Sequence, residues 1–277
     1  MIRLILTFML LCAGRASAEE AWRTLPELPG MSVPAGSGTT LVNGARIFHA
    51  EYGKGPALVL LHGGLANSDW WANQVPAFAE HYHVVLIDSR GHGRSTRDAQ
   101  PYTYELMMGD VLGVMDALKI PRASVVGWSD GGIVGLEIAL HHPERLDRLV
   151  AFAANSDPSG VIDGTDKNPI FARFIARSGE EYRLMSPTPD GYAAFTAAIE
   201  KMWDTEPHFT GQLSRIHVPV AIMDGDHDEA IKRAHTEMLA QTIPGARLII
   251  LPGVSHFAMV QNPALFTAAV LGFLGGH

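Results

Sequence analysis

The chain has 277 residues, 47% of them hydrophobic and 18% charged, enough apolar material for one sizeable core without disulfides or structural metal. Its single cysteine excludes a disulfide framework and every cysteine-based zinc or redox motif, since each needs at least two thiols. With 21 Lys and Arg against 29 Asp and Glu, a net charge of -8 and no basic run, there is no surface to track a phosphate backbone, which excludes nucleic acid as a partner.

Residues 1–18 read as a signal peptide. Arg3 supplies the positive end, Leu4 to Leu11 a short apolar stretch, and Ala16-Ser17-Ala18 a cleavage signal. The expected product is exported, periplasmic or secreted, and begins at Glu19. It is not expected to stay in a membrane: a span needs about 20 apolar residues, and Arg15 interrupts this run. Residues 19–37 are rich in proline and weak in periodicity, an irregular arm expected to be mobile. Thr39 to Val42 and Arg46 to Glu51 flank Asn43-Gly44, a dipeptide that accepts the positive φ angles of a tight hairpin.

From there short unbroken apolar runs alternate with helical stretches. The runs are Ala57 to Leu61, His83 to Ile87, Ser124 to Gly127, Arg148 to Ala153, Val220 to Asp224 and Arg247 to Leu251. Helices are expected at Ser68 to Glu80, Tyr104 to Leu118, Gly131 to His141, Ile231 to Ile243 and Pro263 to Leu274. Strands buried on both faces and joined by helices make an α/β fold: a mostly parallel sheet flanked by helices. Residues 156–213 carry no such strand run but hold Phe171, Phe174, Tyr182, Phe195 and Trp203 at roughly helical spacing. They are expected to form a small helical cap, inserted in a core made of residues 38–155 and 214–277.

Gly127-Trp128-Ser129-Asp130-Gly131 places a serine between a strand and a helix, in a sharp turn that lifts its hydroxyl into the open. A serine hydroxyl is a poor nucleophile at neutral pH and needs a base, which in turn needs an orienting acid. His256 lies in the loop after the last strand run, and Asp228 in the loop after Val220 to Asp224, with Asp224 and Asp226 as rivals in the same stretch. Sites of open α/β sheets gather at such carboxyl ends of strands. Ser129, Asp228 and His256 are therefore the expected catalytic residues. An oxyanion formed at Ser129 needs two donors, assigned to the backbone N–H of Asp130 and of Gly64, with Leu65 as the rival of Gly64. Leu65, Trp128 and Trp203, with Trp70 and Trp71, are candidates to line a substrate pocket. The Asp224 to Asp228 carboxylates lack the regular spacing of a hard-cation loop, so neither metal nor cofactor is expected.

Taken together, His62-Gly63-Gly64, Asp88-Ser89-Arg90-Gly91-His92-Gly93-Arg94-Ser95, the Ser129 turn, Asp228 and His256 resemble the α/β-hydrolase superfamily over nearly the whole of the expected mature chain. That resemblance implies a serine hydrolase of carboxylic esters or related acyl bonds working through an acyl-enzyme, and it makes Asp88 to Ser95 a structural turn. Lactonase, C–C bond hydrolase and aminopeptidase reactions can use the same residue set, whereas a non-catalytic small-molecule binder on the same scaffold would be expected to have lost one of the three, and all three are present. The string Gly127 to Gly132 is similar to that of the biphenyl hydrolase-like members, esterases of α-amino-acid esters, in which an acidic residue after the serine favours an amine-bearing substrate. That role would fall on Asp130, which could equally favour the start of the helix it opens.

Overall fold

A computed structural model describes residues 20–276; the signal segment read at 1–18 lies outside the described residues. Asn43 and Gly44 take φ angles of 46° and 82° and turn β1 (Gly36–Val42) back into β2 (Ala45–Tyr52). β3 (Ala57–Leu61), β4 (His83–Ile87), β5 (Ala123–Trp128), β6 (Leu146–Phe152), β7 (Val220–Gly225) and β8 (Arg247–Leu251) complete one eight-stranded sheet in the order β1-β2-β4-β3-β5-β6-β7-β8. β2 runs antiparallel to β1 and β4, and every other pairing is parallel. All six residues of β5 and of β7 are buried, which is why these strands read as unbroken apolar runs; β8, at the edge, is exposed over its first two residues.

The helices are α1 (Val75–Ala79), α2 (Tyr104–Ala117), α3 (Asp130–His141), α4 (Pro169–Met185), α5 (Tyr192–Thr205), α6 (Arg233–Thr242), α7 (Ala258–Gln261) and α8 (Pro263–Leu274). Their starts carry local signals: Thr103 Oγ1 accepts from Leu106 N at 3.0 Å, and Asn168 and Asn262 cap helices that each open on a proline. The single helix expected over Ser68 to Glu80 is instead a 3-10 turn, Ser68–Trp71, followed by α1. Pro76 has no N–H to give and is tolerated only in the first turn of a helix, so the helix begins beside it rather than running through it.

Between β6 and β7 the chain forms the helical cap, built on α4 and α5. Ile170, Phe174, Ser178 and Tyr182 of α4 and Phe195, Ile199 and Met202 of α5 are buried, and Tyr182 stacks on Phe195 with ring centroids 5.0 Å apart. The chain leaves and re-enters the core at one stitch, where Phe209 N donates to Ser156 O at 3.1 Å and the hydroxyls of Ser156 and Thr210 are 2.7 Å apart. The Asp88 to Ser95 turn is a structural knot: Asp88 accepts from Ser68 N and Arg94 N, both at 2.8 Å, and the fully buried Arg90 forks onto Asp110 at 2.6 and 2.7 Å.

The N-terminal arm departs from expectation in two ways. It is shorter, because β1 takes residues from Gly36, and it is not free. Leu25, Leu28 and Met31 pack on the core, and long side chains of α4 and α7 bond the carbonyls that a proline-rich segment cannot place in a ladder.

Candidate functional site

β5 passes into α3 through Ser129, whose backbone sits at φ 54°, ψ −118°, a region a side chain enters at a cost of roughly 1–3 kcal/mol. The turn is pinned by Ser129 N on Phe152 O at 2.8 Å and by Ile133 N on Ser129 O at 3.0 Å. A Cβ on Gly127 would strike the carbonyl of Gly131, and one on Gly131 the carbonyl of Leu61; only glycine lets strand and helix close this tightly. Within the stretch from Ala123 to Leu136, Ser129 alone is not fully buried.

The loops after β7 and β8 meet, and the ring of His256 lies 5.8 Å from that of Trp128, the residue before Ser129. Of the three carboxylates, Asp224 accepts from Gly225 N at 2.8 Å and Thr236 Oγ1 at 2.6 Å, and Asp226 accepts from Gly253 N at 2.7 Å. Asp228 is the one that faces the imidazole: its Oδ2 lies 2.8 Å from His256 Nδ1, with both side chains 3% exposed. Asp228 Oδ1 accepts from Ala230 N at 2.6 Å and Ile231 N at 2.7 Å. Burial pushes the Asp228 carboxyl up to about 7 and the His256 imidazole below its ordinary value. The directions oppose, and the donors around Asp228 decide between them: the protonated Asp224 carboxyl and the N–H groups of Ala230 and Ile231 favour Asp228 as the carboxylate, which leaves the proton on Nδ1. The unbonded ring nitrogen, Nε2, is then the one that can take a proton from a hydroxyl.

Asp130, the first residue of α3, is 3% exposed, and its side chain is held by Trp203 and Tyr104. Trp203 Nε1 donates to both oxygens at 3.0 Å, and Tyr104 Oη donates to Oδ1 at 2.9 Å. Burial pushes its carboxyl up to about 6, against those hydrogen bonds. Gly64 lies beneath this pair; a Cβ there would meet the Trp203 ring and stand 2.5 Å from Asp130 Oδ2. Leu65 is buried with φ 61°. Trp203 therefore enters the site as a hydrogen-bond donor that ties the cap to the serine turn, a role its ring alone did not suggest.

Trp128 is buried, its ring 5.8 Å from that of His256 and 5.4 Å from that of Trp70. Phe171 and Phe174 of the cap close this aromatic wall, Phe171 at 5.9 Å from the His256 ring. Trp71 turns away from it and packs on Phe266, so it belongs to the core. Glu229 is a residue that sequence reasoning missed: its carboxylate accepts from His256 N and Ser255 Oγ, both at 3.2 Å, and so anchors the histidine loop. Its position next to Asp228 was the only available signal. Among the described residues no group of three or more His, Cys, Asp or Glu is placed to hold a metal ion, and no helix is long and apolar enough to cross a membrane.

Comparison with known proteins gives the same frame. Residues 56–174 match the family model of the alpha/beta hydrolase fold. RutD of Caulobacter sp. (strain K31), a candidate carbamate hydrolase by name, is 33% identical over 264 residues, 83% of this chain and 96% of that protein. The human serine hydrolase BPHL is 28% identical over 82% of this chain and 86% of its own. The crystal structure of the enol-lactonase from Burkholderia xenovorans LB400 superposes with a TM-score of 0.71 at 28% identity, covering 86% of this chain and all of that one. Similarity to these hydrolases along most of each chain, on a sheet of this strand order, has one reading: the chain belongs to the α/β-hydrolase fold family, and it is a hydrolase.

Proposed function

We propose that this hydrolase is an exported, cofactor-independent serine hydrolase of small carboxylic esters and related acyl bonds. The observation that carries the reading is the buried 2.8 Å contact of Asp228 with His256 beside the strained, partly exposed Ser129. His256 Nε2 takes the proton of Ser129 Oγ as that oxygen attacks the acyl carbon, while Asp228 keeps the imidazole oriented and stabilises the imidazolium. The carbonyl oxygen becomes an oxyanion bonded by the N–H of Asp130, an unpaired donor in the first turn of α3, and by that of Gly64. The proton passes on to the leaving alkoxide, which departs as the alcohol. Water, deprotonated by His256, then attacks the acyl-enzyme and releases the acid.

A second reading concerns the acyl group. Asp130 is a buried carboxylate whose side-chain hydrogen-bond partners, Trp203 and Tyr104, are both neutral. Above about pH 6 it carries a charge that an amine on the substrate would balance. One experiment addresses both readings: hydrolysis of p-nitrophenyl esters of graded acyl length, lactones and amino-acid benzyl esters by the wild type, Ser129→Ala and Asp130→Asn. Ser129→Ala is expected to lose about 10⁴-fold or more in kcat on every substrate that is turned over. Asp130→Asn is expected to lose at least about 10-fold more on amino-acid esters than on simple ones. Turnover that survives Ser129→Ala would end the first reading, and equal losses in Asp130→Asn would end the second.

A further inference from the structure

The arm touches three parts of the molecule at once. Gln261, the last residue of α7, accepts from Ser255 N at 2.7 Å and donates from Nε2 to Ser255 Oγ and to Thr24 O, both at 2.9 Å. One side chain thus joins the arm to the residue before His256. Two residues earlier, Trp22 stacks on the ring of His227, the neighbour of Asp228, at 4.3 Å and 13°. On the cap side, Arg173 Nη2 donates to Arg23 O and Arg177 Nη1 to Pro26 O, both at 2.9 Å. The same Arg177 bonds Glu181, which receives Asn67 Nδ2 and Trp70 Nε1 and so fastens α4 to the turn after β3.

We propose that residues 22–26 are a positioning strap, with Gln261 as its anchor at the histidine loop. The strap fixes the loops bearing Asp228 and His256 and the cap helix α4 in a single arrangement, so that Phe171 and the imidazole keep their places together. The proposal rests on the serine-hydrolase reading above for its kinetic effect, but not for its structural one. Its residues touch no reacting atom; they act through Ser255, His227 and α4. The arrangement matters because a displacement of about 1 Å at the reacting groups can cost on the order of 10²-fold in rate.

The test uses the full mature chain with Gln261→Met, Trp22→Ala and the double variant, and with Arg173→Ala. Arg173 is exposed, lies on the outside of the cap, and donates to the arm without contacting either loop. Each single variant is expected to lower kcat about 5- to 30-fold on a p-nitrophenyl ester with KM within about threefold. The double variant is expected to lose no more than about twice what its worse single loses, because both cut one strap. Amide hydrogen exchange is expected to rise in residues 252–257 of Arg173→Ala while the sheet is unchanged. Lowered melting temperatures with unaltered kcat and unaltered exchange in those loops would overturn the proposal. So would a response confined to Gln261→Met, which would mean that this side chain serves Ser255 alone. If the wild type neither turns over esters nor labels with a fluorophosphonate, the proposed reaction fails, and the exchange of Arg173→Ala still decides the strap.

Discussion

Asp228 and His256 present one titrating unit to the solvent-poor end of the sheet. With Asp228 held as the carboxylate, the next proton goes to the imidazole, which burial lowers below its ordinary value, so Nε2 ceases to be a free base only on the acid side of neutrality. The expected kcat/KM profile is flat through neutrality and falls only at pH below 6.5, the ordinary imidazole value that burial lowers; a falling limb wholly on the alkaline side would contradict the assignment. Asp228→Asn keeps the shape of the side chain but cannot hold the proton on Nδ1, and about 10⁴-fold in kcat is the expected loss. The loop positions of Ser129 and His256 were legible because glycines mark the first turn and an apolar strand run precedes the second. Which carboxylate turns to the imidazole was less so. It depends on the N–H groups of Ala230 and Ile231, which only the folded turn presents. Tyr104 was invisible for a different reason: its partner, Asp130, lies 26 residues away, and no local pattern connects them.

Among the elements, α3 bears a feature unconnected with the serine at its start. Glu137 points to a cleft it shares with Glu105 and Glu206, and burial together with those two charges pushes its carboxyl up to about 7, from 4.5. A raised carboxyl contributes stability that is complete below 4.5 and is lost as pH rises through 7. Glu137→Gln is therefore expected to melt higher than the wild type at pH 8.5, by about 2–4 °C, the shift that about 1 kcal/mol gives in a chain of this size. At pH 5 it should melt at or below the wild type, having lost its 3.2 Å contact with His141. A lower melting temperature at pH 8.5 would refute this. Element types were legible from periodicity, with β3, β4, β8 and α8 falling on their expected residues. The split at Ser68 to Glu80 was legible in Pro76 and was overridden by the apolar pattern around it.

On the scale of the molecule, the sheet could be read because parallel strands buried on both faces leave no polar alternation, and the cap because a long interval lacked such strands. The arm could not. Proline and weak periodicity describe a segment without its own ladder, yet say nothing of side chains elsewhere that bond its carbonyls. If residues 1–18 are a signal peptide, the exported protein begins at Glu19, which leaves the strap residues intact. Intact mass and N-terminal sequencing of the periplasmic or secreted product check this, and a product retaining Arg3 or starting beyond Trp22 would contradict it.

The stitch at Ser156 and Phe209 carries a last consequence. Because the chain leaves and returns through neighbouring backbone positions, the sheet registers only that the two ends are closed and not how much chain lies between them. Closure entropy grows slowly with length, each doubling costing only about 0.6 kcal/mol. The insertion is in effect a cartridge: between its anchors, Trp203 on Asp130 and Glu181 on Asn67 and Trp70, it can be lengthened or shortened with little strain on β6 and β7, while each change redraws the walls around Ser129. Selectivity can thus diverge on this scaffold faster than its chemistry.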